Sequence, residues 1–380
     1  MTSASALRET LTTSVVARLV LGWGTFLATL LAGPVLDGDL STPALTAVLV
    51  GLVGVIVVCA FGVVAQAEHL AHRLGDPYGT LVLTLSIVVI EVILISAVML
   101  GPGEHTTIAR DSVMAVSMII LNLVVGVALL VGGTRHGDLT PNRTGTSSYL
   151  ALLVVLSTMA FVMPGLIGSD GSYTSVQAVT IALLTVVLYA YFLYRQTGAQ
   201  AAAFREVTAE TTTQKTTQDA PAPRADGAGH RPEIIARSVV LLLTVLPIVL
   251  LSHDMATLLD EGLARAGAPV ALSGVLIAMV VFLPETITAV RAAYAGEIQR
   301  VSNLCHGALV STVGLTIPAV LVIGMATGQH VVLFESPTNL VLLAVTLLLS
   351  VASFTGRRVT AIHGAAHLML FLVFALSVFS

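Results

Sequence analysis

Charge is what this sequence has least of. Only 10% of its 380 residues are Asp, Glu, Lys or Arg, against about a quarter in soluble domains. That scarcity excludes an ordinary water-soluble globule. The formal net charge of −4 is too small to recruit nucleic acid or another acidic polymer. Cysteine is scarce too: Cys59 and Cys305 both lie in or beside apolar runs. Two such thiols make neither a disulfide framework nor a zinc site, which wants four ligands. No nucleophile–base pair stands out, so neither catalytic residues nor a cofactor are expected. No charged ring or filter segment marks a channel.

What is abundant is apolar. Hydrophobic residues make up 56% of the chain, and its mean hydropathy is +0.96. A bilayer-spanning helix needs about 20 mostly apolar residues. That ruler gives eleven candidates, at about 15–32, 44–65, 78–100, 112–131, 148–167, 175–194, 236–251, 269–290, 304–326, 336–354 and 361–379. The first lacks a compact basic region followed by a small-residue cleavage site, so it reads as a retained span rather than a signal peptide.

The one long polar stretch, between Arg195 and Arg237, includes "EVTAETTTQKTTQDAPAPRADGAGHRPE". Its Thr, Ala, Pro and charge content cannot bury a core, and it reads as a flexible cytoplasmic linker over 196–235. The expected organisation is an all-α polytopic membrane protein. One extra N-terminal helix (1–35) precedes two five-helix halves, 44–195 and 236–380. With the N-terminus cytoplasmic, 15 of the 17 Lys and Arg residues fall on the cytoplasmic side, leaving only Arg110 and Arg265 opposite. The bias supports both the orientation and the span count, in a cell (inner or plasma) membrane. An odd number of spans per half makes the halves inverted repeats.

Of 21 acidic residues, only Glu91 and Glu285 fall deep inside apolar spans. Each lies in the second span of its half. "GDPYGTLVLTLSIVVIE" and "GAPVALSGVLIAMVVFLPE" share a Gly-x-Pro opening, and each places a glycine, Gly79 or Gly274, eleven or twelve residues before the acid. Charge at a helix centre costs about 2.5–3.5 kcal/mol on insertion scales, so such acids are functional by default. Inverted repeats would bring the pair together near the bilayer midplane. Carboxylates are hard ligands suited to Ca²⁺, Na⁺ or protons. Facing carboxyls in a low dielectric hold protons near neutral pH, and a cation must displace those protons to bind. Competition plus alternating access is antiport.

Supporting groups are expected nearby. Pro284, one residue before Glu285, deprives the carbonyl of Val280 of its helical donor. Asn122 in "IILNLVVG" and Ser311, Thr312 and Thr316 in "GALVSTVGLTIPAV" are polar groups on the spans that follow each acid. His306 is a candidate member of a proton relay. His363 and His367, four apart at a span end, read as structural or interfacial. Glu68, His69, His72 and Asp76 form a mixed-charge connection.

"HRLGDPYGTLVLTLSIVVIEVILISAVML" and "PETITAVRAAYAGEIQRVSNLCHGALVSTVGLTIPAV" resemble the two α-repeats of the ChaA-type calcium/proton antiporters, of the calcium:cation antiporter superfamily. The likeness runs from about Glu68 to the C-terminus. It implies a proton-driven exporter of Ca²⁺, with Na⁺ or K⁺ as the alternative cargo, and it assigns Glu91 and Glu285 to the ion-binding acids. Many superfamily members carry Gly-Asn shortly before each acid; this chain has Val89-Ile90 and Leu283-Pro284 instead.

Overall fold

The computed structural model describes residues 10–36, 38, 40–74, 81, 85, 88, 91–92, 95, 99, 106–207, 227–268 and 271–379. Its helices, in chain order, are α1 (Thr13–Leu36), α2 (Thr42–Leu74), α3 (Ile108–His136), α4 (Arg143–Ile167), α5 (Ser175–Thr197), α6 (Gly227–Arg265), α7 (Ala271–Val281), α8 (Leu283–Ala295), α9 (Ile298–Thr327), α10 (Pro337–Thr355) and α11 (Ala361–Ser377). Eight of them are long and apolar enough to cross a membrane, and α11 is a shorter apolar helix. Nine of the eleven expected spans therefore appear as single helices. The third lies mostly outside the described residues, although 81, 85, 88, 91, 92, 95 and 99 are all helical. The eighth is not one helix but two, α7 and α8, parted at Phe282.

Large apolar side chains cover the outside. Leu31, Val176, Ile362 and Leu376 are each at least 70% exposed. Water would not tolerate such a surface, but lipid tails do.

Local chemistry sets the ends. Thr174 and Gln177 close a capping box that starts α5. The Ser336 hydroxyl accepts from Asn339 N at 3.2 Å and starts α10. Gly137, at φ +74°, stops α3 by taking a backbone conformation that side chains disfavour. Two helices carry π turns, at Ile119–Val124 in α3 and Thr158–Val162 in α4. In the first, Val125 N–H reaches back five residues to Ile120 O. Such a turn accommodates one residue more than an α turn and often marks a functional place.

The chain divides into two compact units, Met1–Val82 with Thr216–Ile287 and Leu83–Lys215 with Thr288–Ser380. The first unit takes the opening helix of each sequence half, α2 and α6, together with α1 and α7. Here α6 packs along α2, with α1 against both. Gly22 lies against Cys59 and Pro247, and Gly62 against Arg18 and Thr244. Trp23 Nε1 donates to Leu243 O at 3.1 Å. Buried Arg237 joins α6 to α2, donating to Glu233 at 3.0 Å and to Gln66 at 3.4 Å. Both cysteines are buried and neither forms a disulfide.

In the second unit α3 is central, with 83% of its apolar window buried. On α3, Gly126 and Gly133 meet α11 at backbone distance: a Cβ on Gly133 would stand 2.3 Å from Ala361 N, and one on Gly364 of α11 2.6 Å from Gly126 O. Small residues let membrane helices approach this closely. The bundle is completed by α9 against α4 and α5, and by α10 against α4 and α11. The end of the unit near α3 is tied by Leu139 and Val359, which exchange two backbone hydrogen bonds at 3.0 and 2.8 Å.

The expected linker is not loose at its start. Ala201–Phe204 form a 3₁₀ turn. Phe204, 1% exposed, packs its ring against Tyr149 and Phe192. Glu206 Oε2 then accepts from Gln299 N and Arg300 N at 2.9 and 3.2 Å, satisfying two N–H groups in the first turn of α9.

Candidate functional site

The two acids fall one in each unit, and both are buried: Glu91 is 6% and Glu285 3% exposed. Glu285 stands in the first turn of α8. Phe282 N still reaches Ala278 O at 2.9 Å, and Thr286 N reaches Phe282 O at 3.0 Å, so the chain stays close to its axis through the break. Pro284 is the second residue of α8, where a missing N–H is tolerated. The sequence placed this proline in the middle of a helix; in the structure it opens one. Val280, in the last turn of α7, is the residue whose carbonyl Pro284 deprives of a donor. Glu285 thereby gains what mid-helix positions lack, the positive end of a helix dipole.

Glu91 is held from across the second unit. Thr312 Oγ1, fully buried on α9, donates to Glu91 Oε2 at 2.8 Å. Among the described residues nothing hydrogen-bonds to Glu91 Oε1. Ser311, the neighbour of Thr312, faces another way: Tyr189 donates to its Oγ at 2.9 Å, and it donates in turn to Gly307 O at 2.8 Å. Only one of the two adjacent hydroxyls therefore meets the acid.

Asn122 sits in the π turn of α3 with 0% exposure. Thr346 spends its hydroxyl proton on Leu342 O at 2.8 Å, so it accepts the Asn122 amide at 2.8 Å. Met118 Sδ, a second acceptor, lies 3.5 Å from the same nitrogen. The amide oxygen is left facing His367 Nδ1 at 3.3 Å, and His367 Nε2 meets Ser353 Oγ at 3.3 Å. The hydrogen-bond pattern thus gives His367 its proton on Nδ1. His363 has a different task, accepting from Thr360 N at 3.1 Å in the capping box of α11.

His306 is also fully buried. Its Nδ1 meets Ser302 Oγ at 3.0 Å, which leads on to Thr146 at 3.1 Å and from there to Gln299 at 3.3 Å. Its ring stands edge-on to Phe354 with centroids 4.8 Å apart. Among the described residues Nε2 has no hydrogen-bond partner. No group of three or more His, Cys, Asp or Glu side chains among the described residues could hold a metal ion. Of the mixed-charge connection, Asp76 and the side chains of Glu68 and His72 lie outside the described residues.

Long apolar helices with two buried acids, one of them held by a hydroxyl, define a membrane ion transporter. The chain belongs to the sodium/calcium exchanger protein family, matched over residues 44–198 and 237–380. The match leaves out the polar stretch between them. The sodium-potassium/proton antiporter ChaA of Escherichia coli is 31% identical over 332 residues, 87% of this chain and 88% of that protein. The protein y4hA of Sinorhizobium fredii is 35% identical over 326 residues, 85% of this chain and 86% of its own. Among solved structures, the H⁺/Ca²⁺ exchanger CAX matches with a TM-score of 0.67 at 15% identity, covering 95% of this chain and 87% of that one. Native YfkE matches with a TM-score of 0.64 at 16% identity, covering 95% and 99%. These two show a shared fold. The resemblance to ChaA-type antiporters read from the sequence is borne out. The chain is a membrane cation antiporter of the exchanger family and not an enzyme.

Proposed function

We propose that this chain exports Ca²⁺ in exchange for protons, with Glu91 and Glu285 as the acids on which cation and proton compete. The observation that carries this reading is the state of Glu91. It is a buried carboxylate with one oxygen held by a hydroxyl and the other without a hydrogen-bond partner among the described residues. A lone buried charge is unstable unless it is protonated or meets a cation. Alternate occupancy by proton and metal meets that requirement, because each must leave for the other to bind. Thr312 completes the support for Glu91. Asn122 and His306 act from the interior of the second unit, and Ser311 fixes α9 through Tyr189. Val280 and Pro284 form the break that opens α8 just before Glu285.

The halves 44–195 and 236–380 act as inverted repeats behind the extra helix 1–35, with the linker 196–235 and the N-terminus cytoplasmic in a plasma membrane. Single cysteines at Ala202 and Ser41 should then label from opposite sides of the membrane.

A second reading keeps the site and changes the cargo. The Escherichia coli relative is named for sodium, potassium and protons, which favours Na⁺ or K⁺ in place of Ca²⁺. Everted vesicles with a pH-sensitive dye and a panel of Ca²⁺, Na⁺ and K⁺ separate the two. Glu91→Gln and Glu285→Gln should each abolish exchange while the protein stays in the membrane. Coupled transport surviving in either variant rejects the paired acids.

A further inference from the structure

Hydroxyls buried in helices ordinarily donate to the carbonyl one turn back. This protein follows the habit at Ser117, Thr244, Ser252, Ser311 and Thr346, all at 2.6–2.8 Å. On α9 Ser302, which meets His306 and Thr146, breaks it, and so do two residues further along. Thr312 turns its hydroxyl to Glu91. Thr316, one turn further on, is 0% exposed, and its Oγ1 has no hydrogen-bond partner among the described residues. Thr185 and Ser350 share that state, but neither stands on the helix that holds the acid.

The direction Thr316 faces is fixed from both sides. Residues 312, 316 and 320 are one turn apart on one face of α9, as 91, 95 and 99 are on the helix of the acid. Thr312 touches Glu91, and Val320 joins Ile95 and Met99 in one apolar cluster with Ala109. Gln329, just past the end of α9, donates to Met99 O at 2.6 Å, so the two helices run in the same direction. Thr316 therefore looks toward the acid-bearing helix between Glu91 and the apolar cluster. Glu91 Oε1 is likewise without a hydrogen-bond partner among the described residues.

The geometry points to Thr316 Oγ1 as a further ligand of the transported cation, bound together with Glu91 Oε1. Two buried oxygens, each unfavourable when left bare, become partners once a hard cation stands between them. The carboxylate supplies charge and the hydroxyl a neutral oxygen. The apolar side chains beyond Thr316 keep out the water that would otherwise fill that coordination position. The inference rests on the exchange reading above and adds a ligand to it.

The test uses the full chain in proteoliposomes, with Ca²⁺, Na⁺ and K⁺ each supplied against a proton gradient. Thr316→Val keeps the shape and removes the oxygen; Thr316→Ser keeps the oxygen. Valine should raise KM for the transported cation about tenfold, the loss of one hydrogen-bond-strength contact, with kcat and melting temperature unchanged. Serine should stay near the wild type. Should the valine protein fail to insert, Thr316→Ala is read in the same way. A wild-type KM in the valine or alanine variant overturns the assignment, as does an equal loss in valine and serine, which would mark a packing role. A wild type that exchanges none of the three cations, or a Glu91→Gln protein that still exchanges, overturns the exchange reading and Thr316 with it. Exchange lost in Glu91→Gln but untouched in Thr316→Val removes Thr316 alone.

Discussion

Thr312 donates its hydroxyl proton to Glu91 Oε2 across 2.8 Å, joining side chains 221 residues apart in the chain. A hydrogen bond to a charged group contributes about 1.5–3 kcal/mol. Thr312→Val should therefore weaken cation binding by roughly tenfold or more, while Thr312→Ser keeps most of it. Binding to purified protein measures the difference. Equal affinities in the valine variant and the wild type would show that the hydroxyl is idle.

Asn122 connects three helices through two side chains. Replacing it with alanine leaves the Nδ1 proton of His367 and the hydroxyl oxygen of Thr346 buried without their partner. Each orphaned group costs about 1–3 kcal/mol. Asn122→Ala should lower the melting temperature in detergent, and His367→Ala should add little more on top, because the two losses overlap. Fully additive losses would argue against the contact.

Glycines separate into two sorts by what surrounds them. Gly133 faces the backbone of Ala361 so closely that a methyl group requires α3 and α11 to move apart, whereas Gly54 has nothing within 4 Å of its would-be Cβ. Gly133→Ala should destabilise by about 1–3 kcal/mol. Gly54→Ala should be neutral or stabilising by up to about 1 kcal/mol, since alanine is the better helix former. Thermal melts of the two proteins side by side give the answer, and similar shifts in both would discount the close approach.

Glu335 lies in the connection before α10, only 2% exposed. Burial pushes its carboxyl above the usual range, against the downward pull of Asn339, Ser336 and Arg110. The folded state thus binds this proton more tightly than the unfolded chain. Stability from this group is present in acid and is lost as pH rises through the raised value. Glu335→Gln removes that dependence. Its melting temperature should match the wild type in acid and exceed it at neutral pH. A constant offset across pH would locate the effect elsewhere.

The sequence made some of this legible and hid the rest for physical reasons. Glu91 and Glu285 stood out because charge inside an apolar run is conspicuous without any knowledge of partners. The spans were visible because a bilayer sets their length. The break at Phe282 was not visible, because a proline two residues later reads equally well as a kink inside a helix or as the opening of a new one. Asn122 was noticed as an amide in an apolar run. Its orientation was hidden, since that depends on Thr346 and His367, more than 200 residues away. Thr316 looked like any helical threonine until the missing back-bond could be seen. Glu206 was submerged in a polar stretch whose composition says nothing of the N–H groups it meets.

The π turn at Ile119–Val124 gives α3 two rotational phases. Everything before it is set by one angular origin and everything after it by another, offset by the extra residue that the wide turn absorbs. Deleting a single residue there would restore an even α-helical winding and leave both halves aimed much as they are, because the wide turn already holds the surplus residue. A deletion between Gly126 and Gly133 has no such slack and would turn one glycine about 100° out of line with the other. Part of the face that meets α11 would then point away from it. Helix length would barely change, and the span would still cross the bilayer. The damage would be one of aim rather than reach, so α3 tolerates a change in residue count at the wide turn and nowhere along its glycine face.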